Sequence, residues 1–399
     1  MDAQATPQPS ARPSALFAYG FRPFFLGAFA YALLAMLAWM AIRTLGALPI
    51  PTLPPQLWHA HEMLFGFIAA AIAGFLLTAV PSWTGAKGFG GWPLVLLSLL
   101  WLCGRAAFAL ADYLPLWVVA TAELAFLPAL ALLIAFPLLR AMNRNTPLLI
   151  VIGVLWFADA TFLSSMALSD VALARKTLLV AIDVALLLIT VVGGRIVPAF
   201  TANALRKGGI SAELRGSRWL DRATIAAMIL VAGIDAFVRS DTAAIWAAAV
   251  AAMLHALRLA GWQGFRSLRE PIVWILHVAY LWLPVGLGLK AVFLSTEAAW
   301  AADWLHALTV GAVATMIVAV ITRASLGHTG RPLVVSNRVA LAYGVLGAAA
   351  LARAFSTALG SYREWAIWTA GALWILAFAL LLLSYGPLLV RPRADGRAG

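Results

Sequence analysis

Charge is scarce in this chain. Of 399 residues only 11% are Asp, Glu, Lys or Arg, while 63% are hydrophobic. A soluble domain carries about a quarter charged residues, so this composition excludes a soluble enzyme and a disordered chain alike. Cysteine is scarcer still, with Cys103 the single one. No intrachain disulfide and no Cys-based metal cluster can form. With nine scattered methionines, the soft ligands that select Cu(I) in a copper pump are missing. Cys103 itself is expected to be a small buried residue. Acids number 16 against 28 Lys and Arg, a net charge of +12. That excess is no nucleic-acid signal, because the cations sit between apolar runs, where membrane topology accounts for them. No nucleic-acid partner is expected. There is no Walker loop, no Gly-x-Gly-x-x-Gly after a strand, and no Ser-His-Asp set that suggests hydrolysis.

What the chain has is apolar runs of twenty or more residues, repeatedly. Twelve spans are expected, at 24–45, 57–80, 91–111, 115–138, 147–168, 173–198, 219–238, 242–260, 271–293, 301–323, 333–355 and 362–390. Most are long enough to cross a ~30 Å hydrocarbon core as helices. The fold class is therefore all-α, a polytopic membrane protein of about 12 transmembrane helices in the lipid bilayer. Residues 1–20 are expected to form an N-terminal tail, 21–390 a single transmembrane domain and 391–399 a C-terminal tail. With the N-terminus inside, 19 Lys and Arg fall on the cytoplasmic side and seven on the other. The positive-inside rule then puts both termini in the cytoplasm.

An internal repeat is visible. Span 2 ends Val80-Pro81-Ser82-Trp83-Thr84-Gly85, span 6 ends Val197-Pro198-Ala199-Phe200-Thr201-Ala202, and span 10 ends Ser325-Leu326-Gly327-His328-Thr329-Gly330. His61 precedes Gly85 by 24 residues and His306 precedes Gly330 by the same 24, with Gly66 and Gly311 coinciding in that frame. Spans four apart share one direction, so three four-helix units around a pseudo-threefold axis are expected.

Six histidines carry the chemistry: His59, His61, His255, His277, His306 and His328. An ionisable residue inside a span is costly and marks function by default, although a single neutral imidazole often only bonds across helices. Five within spans favour ligation, and imidazole suits haem iron, copper and zinc. His59, His61 and His306 share the outer third of the membrane. His255 and His277 lie nearer the inner side and His328 just beyond span 10. On a regular helix His59 and His61 point about 200° apart, so they face neighbouring sites. The expected pairing is His61 with His306 on an outer haem, His59 at an adjacent centre, and His255 with His277 at a further metal. Glu62 is a candidate to orient an imidazole or carry protons. Arg22 and Arg323 are candidates to clamp haem propionates, although both lie too deep on the inner side for an outer haem. Glu123, Asp159 and Asp183 are expected in structural pairs with Arg105 and Arg195, and Asp303 and Lys290 at the interface. Trp58, Trp83 and Trp304 flank the histidine spans.

At these residues the chain resembles the NnrS family. The matching stretches are Gly20-Phe21-Arg22-Pro23-Phe24-Phe25, Trp58-His59-Ala60-His61-Glu62-Met63, Val80 to Gly85, Gly193 to Thr201, and the run from His306 to Pro332. Ser82 stands where Asn is expected and Ala314 where Gly is expected. The resemblance implies a bacterial inner-membrane protein linked to nitric oxide and nitrosative stress, containing haem and copper, and served by an unidentified electron donor. The architecture is also similar to the catalytic subunit of haem–copper oxidases and nitric oxide reductases. There the His-x-His pair lies on span 10, whereas here it lies on span 2, and spans 6 and 7 lack the expected histidines. A copy of that binuclear centre is therefore not expected. Two functions stay open: an oxidoreductase-like metalloprotein that binds or metabolises nitric oxide, or a transporter or non-catalytic sensor. Broken helices at midplane would favour transport, but Gly193-Gly194 falls near the end of span 6.

Overall fold

The computed structural model describes residues 15–46, 53–210, 214 and 216–396. Of the two expected tails, 1–14 and 397–399 lie outside the described residues. Ten helices are long and apolar enough to cross a membrane. They are α1 (Phe21–Leu45), α2 (Pro55–Thr84), α3 (Trp92–Ala109), α4 (Leu116–Arg140), α5 (Leu148–Ala167), α6 (Val171–Lys207), α8 (Asp241–Gly261), α9 (Pro271–Thr296), α10 (Ala299–His328) and α12 (Ser356–Val390). Two more helices, α7 (Arg218–Phe237) and α11 (Asn337–Ala354), stand where spans 7 and 11 are expected. Both are less apolar, because α7 carries Arg218, Asp221, Arg222 and Asp235 and α11 carries Asn337, Arg338 and Arg353. The chain is an all-α multi-pass membrane protein, and no strand occurs among the described residues.

Successive helices pack side by side, and α12 returns against α1 to close the bundle. Arg22 secures that closure: its guanidinium donates to the carbonyls of Leu389 at 3.0 Å and Arg391 at 2.6 Å. The start of α1 and the end of α12 therefore share one side, as an even number of spans requires. Leucines and phenylalanines such as Leu34, Leu99, Leu132, Phe136 and Leu383 face outward. Lipid tails are as apolar as the core, so an outward Leu costs nothing there. The same reasoning corrects Cys103, which is exposed on α3 rather than buried.

At the centre lie α2, α6 and α10. A small apolar pocket of about 70 Å³ is lined by all three, and its residues fall in layers of three at matching positions: Ile72, Ile189 and Ile317, then Phe75, Val192 and Val320. These layers align with the three sequence blocks at the helix ends. The pseudo-threefold axis read from the repeat is thus the axis of the bundle.

The repeat extends to backbone geometry. Directly after His61, α2 widens into a π-helix over Glu62–Ile68. Directly after His306, α10 does the same over Ala307–Ala314. A π turn displaces carbonyls from their usual partners, and side chains take them up. Trp101 Nε1 donates to Gly66 O at 3.1 Å, and Thr315 Oγ1 donates to Val310 O at 3.2 Å. Both wide turns are packed against an aromatic ring of the preceding helix. A Cβ on Gly66 would overlap the Tyr31 ring, and one on Gly311 the Trp282 ring. Gly85 and Gly330 end the two helices with φ of 71°, a left-handed turn that suits glycine.

Overpacking a close contact costs about 1–3 kcal/mol. Gly311→Val should therefore lower the melting temperature of the detergent-solubilised protein. Gly344→Val on α11, where a Cβ meets nothing within 4 Å, should leave it within the scatter. Equal shifts for the two would discard the close-packing account.

Candidate functional site

Below the apolar pocket the axis opens into a cavity of about 460 Å³. Its walls continue the threefold register. Thr78, Arg195 and Arg323 stand at one level, and Trp83, Phe200 and His328 at the next. The three sequence blocks that ended spans 2, 6 and 10 thus meet around one space. Arg144 and Asn145, from the connection between α4 and α5, complete the lining. Arg195 donates to Asn145 Oδ1 at 2.6 Å. The Arg323 guanidinium lies 3.8 Å from the centre of the Phe200 ring, a cation–π contact. His328 packs beside Tyr19 and Phe21 at 6.2 and 5.6 Å. Among the described residues, no carboxylate lines the cavity. Three guanidinium groups and an imidazole around aromatic walls make a site for an anion with flat apolar faces. Arg22 does not line it.

The outer histidines sort differently from the expected pairing. His59 lies flat on Trp39, ring centres 4.6 Å apart, and its Nδ1 is buried without a hydrogen-bond partner. His306 is within electrostatic reach of His59, and Arg353 acts on both. Arg353 is anchored by Asp303 at 2.7 Å, which also accepts from Ser356 and Thr357. Asp303 is therefore buried in a network of hydrogen bonds. Of the two histidines at the start of α2, His59 is the one within electrostatic range of His306.

His61 turns the other way, between α3, α4 and α5. Its ring stacks on Phe108 at 3.9 Å and on Phe162 at 4.7 Å. Nδ1 lies 3.2 Å from Glu62 Oε1 and Nε2 lies 3.0 Å from Asp159 Oδ1. Arg105 reaches Glu62 Oε1 at 2.5 Å and also pairs with Glu123. All five side chains are buried. Arg105 was expected to pair with an acid and does so. Arg195 has an amide as its partner instead. Asp183 is buried beside Asp235 and Lys290, and Lys290 is ion-paired with Asp235. Lys290 is itself buried against its neighbours.

On the inner side His255 and His277 bond separate hydroxyls. Arg258 donates to Tyr280 Oη at 3.1 Å, which leaves the phenol proton for His255 Nδ1 at 2.8 Å. His277 Nε2 is 2.8 Å from Thr201 Oγ1. The Trp262 ring packs on both Tyr280 and His277. Each histidine keeps one buried nitrogen without a partner, Nε2 of His255 and Nδ1 of His277. The sequence did not reveal Arg144 and Asn145 as cavity residues, because a loop's fold-back is not written in periodicity. It did contain the signal for Arg195 and Arg323, which share a register with Thr78 relative to the three blocks.

Arg22 and Arg323 separate structure from binding. A hydrogen bond to a charged group contributes about 1.5–3 kcal/mol, so Arg22→Ala should lower the melting temperature clearly. Arg323→Ala loses a contact of about 0.5–2 kcal/mol and should lower it less. The reverse order would contradict the assignment of Arg22 to bundle closure.

A family model described as NnrS protein matches residues 15–393. No curated protein matches the chain.

Proposed function

The chain belongs to the NnrS family, a membership that suggests a membrane protein of the nitric oxide response; from that premise we propose that it binds nitric oxide at haem and copper held inside the bilayer and so protects against nitrosative stress. The observation that carries this reading is the cavity between α2, α6 and α10, whose described lining gathers Arg144, Arg195, Arg323 and His328 without a carboxylate. Its donor set fits haem: an imidazole for iron, guanidinium groups for the two propionates, and aromatic side chains against the ring faces. His328 would be the iron ligand. Arg323, Arg195 and Arg144 would bind the carboxylates, which arginine matches with two parallel hydrogen bonds. Bound there, haem supplies an iron that takes up a diatomic ligand.

The rest is done by the chain. The Ile72, Ile189 and Ile317 layer keeps the space above the cavity dry. Nitric oxide is apolar and concentrates in lipid, so a route through the bundle suits it better than one through water. The positive cavity holds an anion against the pull of solvent, since guanidinium attraction strengthens in low dielectric. Copper fits the outer pair, because imidazole suits copper and the buried Nδ1 of His59 has no other partner. His59 and His306 would hold it. A separate electron donor would serve the site. We assign the protein to the bacterial inner membrane with both termini cytoplasmic, on the excess of Lys and Arg on that side.

The cavity also favours one other reading. It lies at one end of the bundle and leads to its middle, as an anion-transport path would. An optical spectrum of the full chain purified in detergent, with metal analysis, separates the two. A Soret band that shifts on adding nitric oxide is expected. His328→Ala should remove most of the haem and leave copper, whereas His59→Ala should lower copper and leave haem. A folded protein from haem-replete cells that holds no haem would discard the haem reading in favour of transport. Haem unchanged in His328→Ala would discard the axial assignment.

A further inference from the structure

We propose that the buried cluster of His61, Glu123 and Asp159 is a site for a divalent first-row metal ion other than copper, separate from the haem cavity and from the His59–His306 pair. The first argument is charge. Glu62, Glu123 and Asp159 bring three carboxylates and Arg105 one guanidinium, all buried. Two negative charges are left over in a lipid-surrounded interior, where an uncompensated ion is costly. A dication supplies the missing charge.

The second argument is the direction of the imidazole. Glu62 Oε1 sits at His61 Nδ1 and also accepts from Arg105. Glu62, bonded to Arg105, accepts a hydrogen bond from Nδ1–H of His61 in the tautomer that carries its proton there. The lone pair of Nε2 is then aimed at Asp159 Oδ1, 3.0 Å away, and Glu123 Oε1, 3.8 Å away. A lone pair facing two carboxylate oxygens repels them unless a cation lies between. A carboxylate behind a ligating histidine is the usual outer support of a metal site.

The third argument is room and geometry. One ligand atom from each of the three residues lies within 4.8 Å of the others. Ligands held at 2.0–2.2 Å from a metal sit roughly 3–4 Å from one another. Glu123 Oε2 is buried and has no hydrogen-bond partner. A void of about 10 Å³, reached by Gly104, Arg105, Glu123 and Asp159 but not by His61 and otherwise walled by apolar side chains, adjoins it. Gly104 keeps that space, because a Cβ there would lie 2.8 Å from Glu123 Oε2. One nitrogen and two carboxylates form a harder set than copper prefers and suit Zn²⁺, Fe²⁺ or Mn²⁺. The alternative compensation is two protons, which bind no metal.

The test is elemental analysis of the full chain purified in detergent, before and after dialysis against Zn²⁺, Mn²⁺ or, without oxygen, Fe²⁺. The wild type should carry or take up about one equivalent of non-copper metal per chain. Glu123→Gln and Asp159→Asn should lose it, and Glu62→Gln should weaken it about 10–100-fold. Copper and haem content should not change in any of the three, so a failure here is distinct from a failure of the haem reading. Where a variant does not fold, the wild type alone decides: its melting temperature should rise with the added metal and fall with a chelator. A folded wild type that takes up none of these metals, metal content unchanged in folded Glu123→Gln, or copper as the metal lost would each overturn the proposal.

Discussion

A charge surrounded by lipid has to be met by another group at contact distance, and this constraint organises the bundle. Arg105 and Lys290 are buried and Arg353 is largely so. Each is therefore tied to carboxylates from other helices: Arg105 to Glu62 and Glu123, Lys290 to Asp235, and Arg353 to Asp303. These pairs do for the membrane helices what apolar burial does in water. They fix which helices are neighbours and at what height. Breaking one partner of such a pair leaves an ion stranded at a cost of several kcal/mol, so they act as pins. The axial cavity is the exception. There, among the described residues, arginines gather without acids, and their partners are an amide and an aromatic ring.

The second organising element is the repeat. Three helices in one direction bring equivalent positions to one axis, and their differences make the site. At one level two positions are arginine and the third is Thr78. At the next, two are aromatic and the third is His328. A repeated scaffold with differing substitutions thus gives the cavity one histidine and an uneven wall. The same relation holds in the outer half. His61 and His306 occupy matching places before matching π turns, yet they serve different surroundings. His61 meets carboxylates of α4 and α5, whereas His306 lies within electrostatic range of His59 and Arg353.

Much of this was legible in the chain. Ten of the twelve helices follow from hydrophobic length, α7 and α11 being less apolar, and their order needs no tertiary information. The blocks ending at Gly85, Ala202 and Gly330 signalled the axis, because similar residues on helices of one direction lie at one depth. Less legible was the partner of each buried group. His61 and His306 share a depth, which made them a natural pair, and depth says nothing about rotation around the helix. The wide π turns begin only after each histidine, so they do not change the divergence of His59 and His61. That roughly 200° divergence, read from the sequence, was right. Which of the two faced α10 was not recoverable from it. Cys103 fell on the lipid side for a related reason: an apolar residue is equally stable inside the bundle or against lipid, so hydrophobicity carries no inward direction.

Sequence by itself determined the membrane class, the number and order of helices, the threefold repeat and the roster of histidines, arginines and acids within the bilayer. Those properties depend on composition along a helix and on the ~30 Å it must cross. Tertiary structure decided the azimuth of each helix and so the company of each side chain: His61 with Glu123 and Asp159, His59 with His306, Arg323 with His328. Rotation about a helix axis is set by packing against neighbours and by the pairing of buried charge, and both are properties of the assembled bundle.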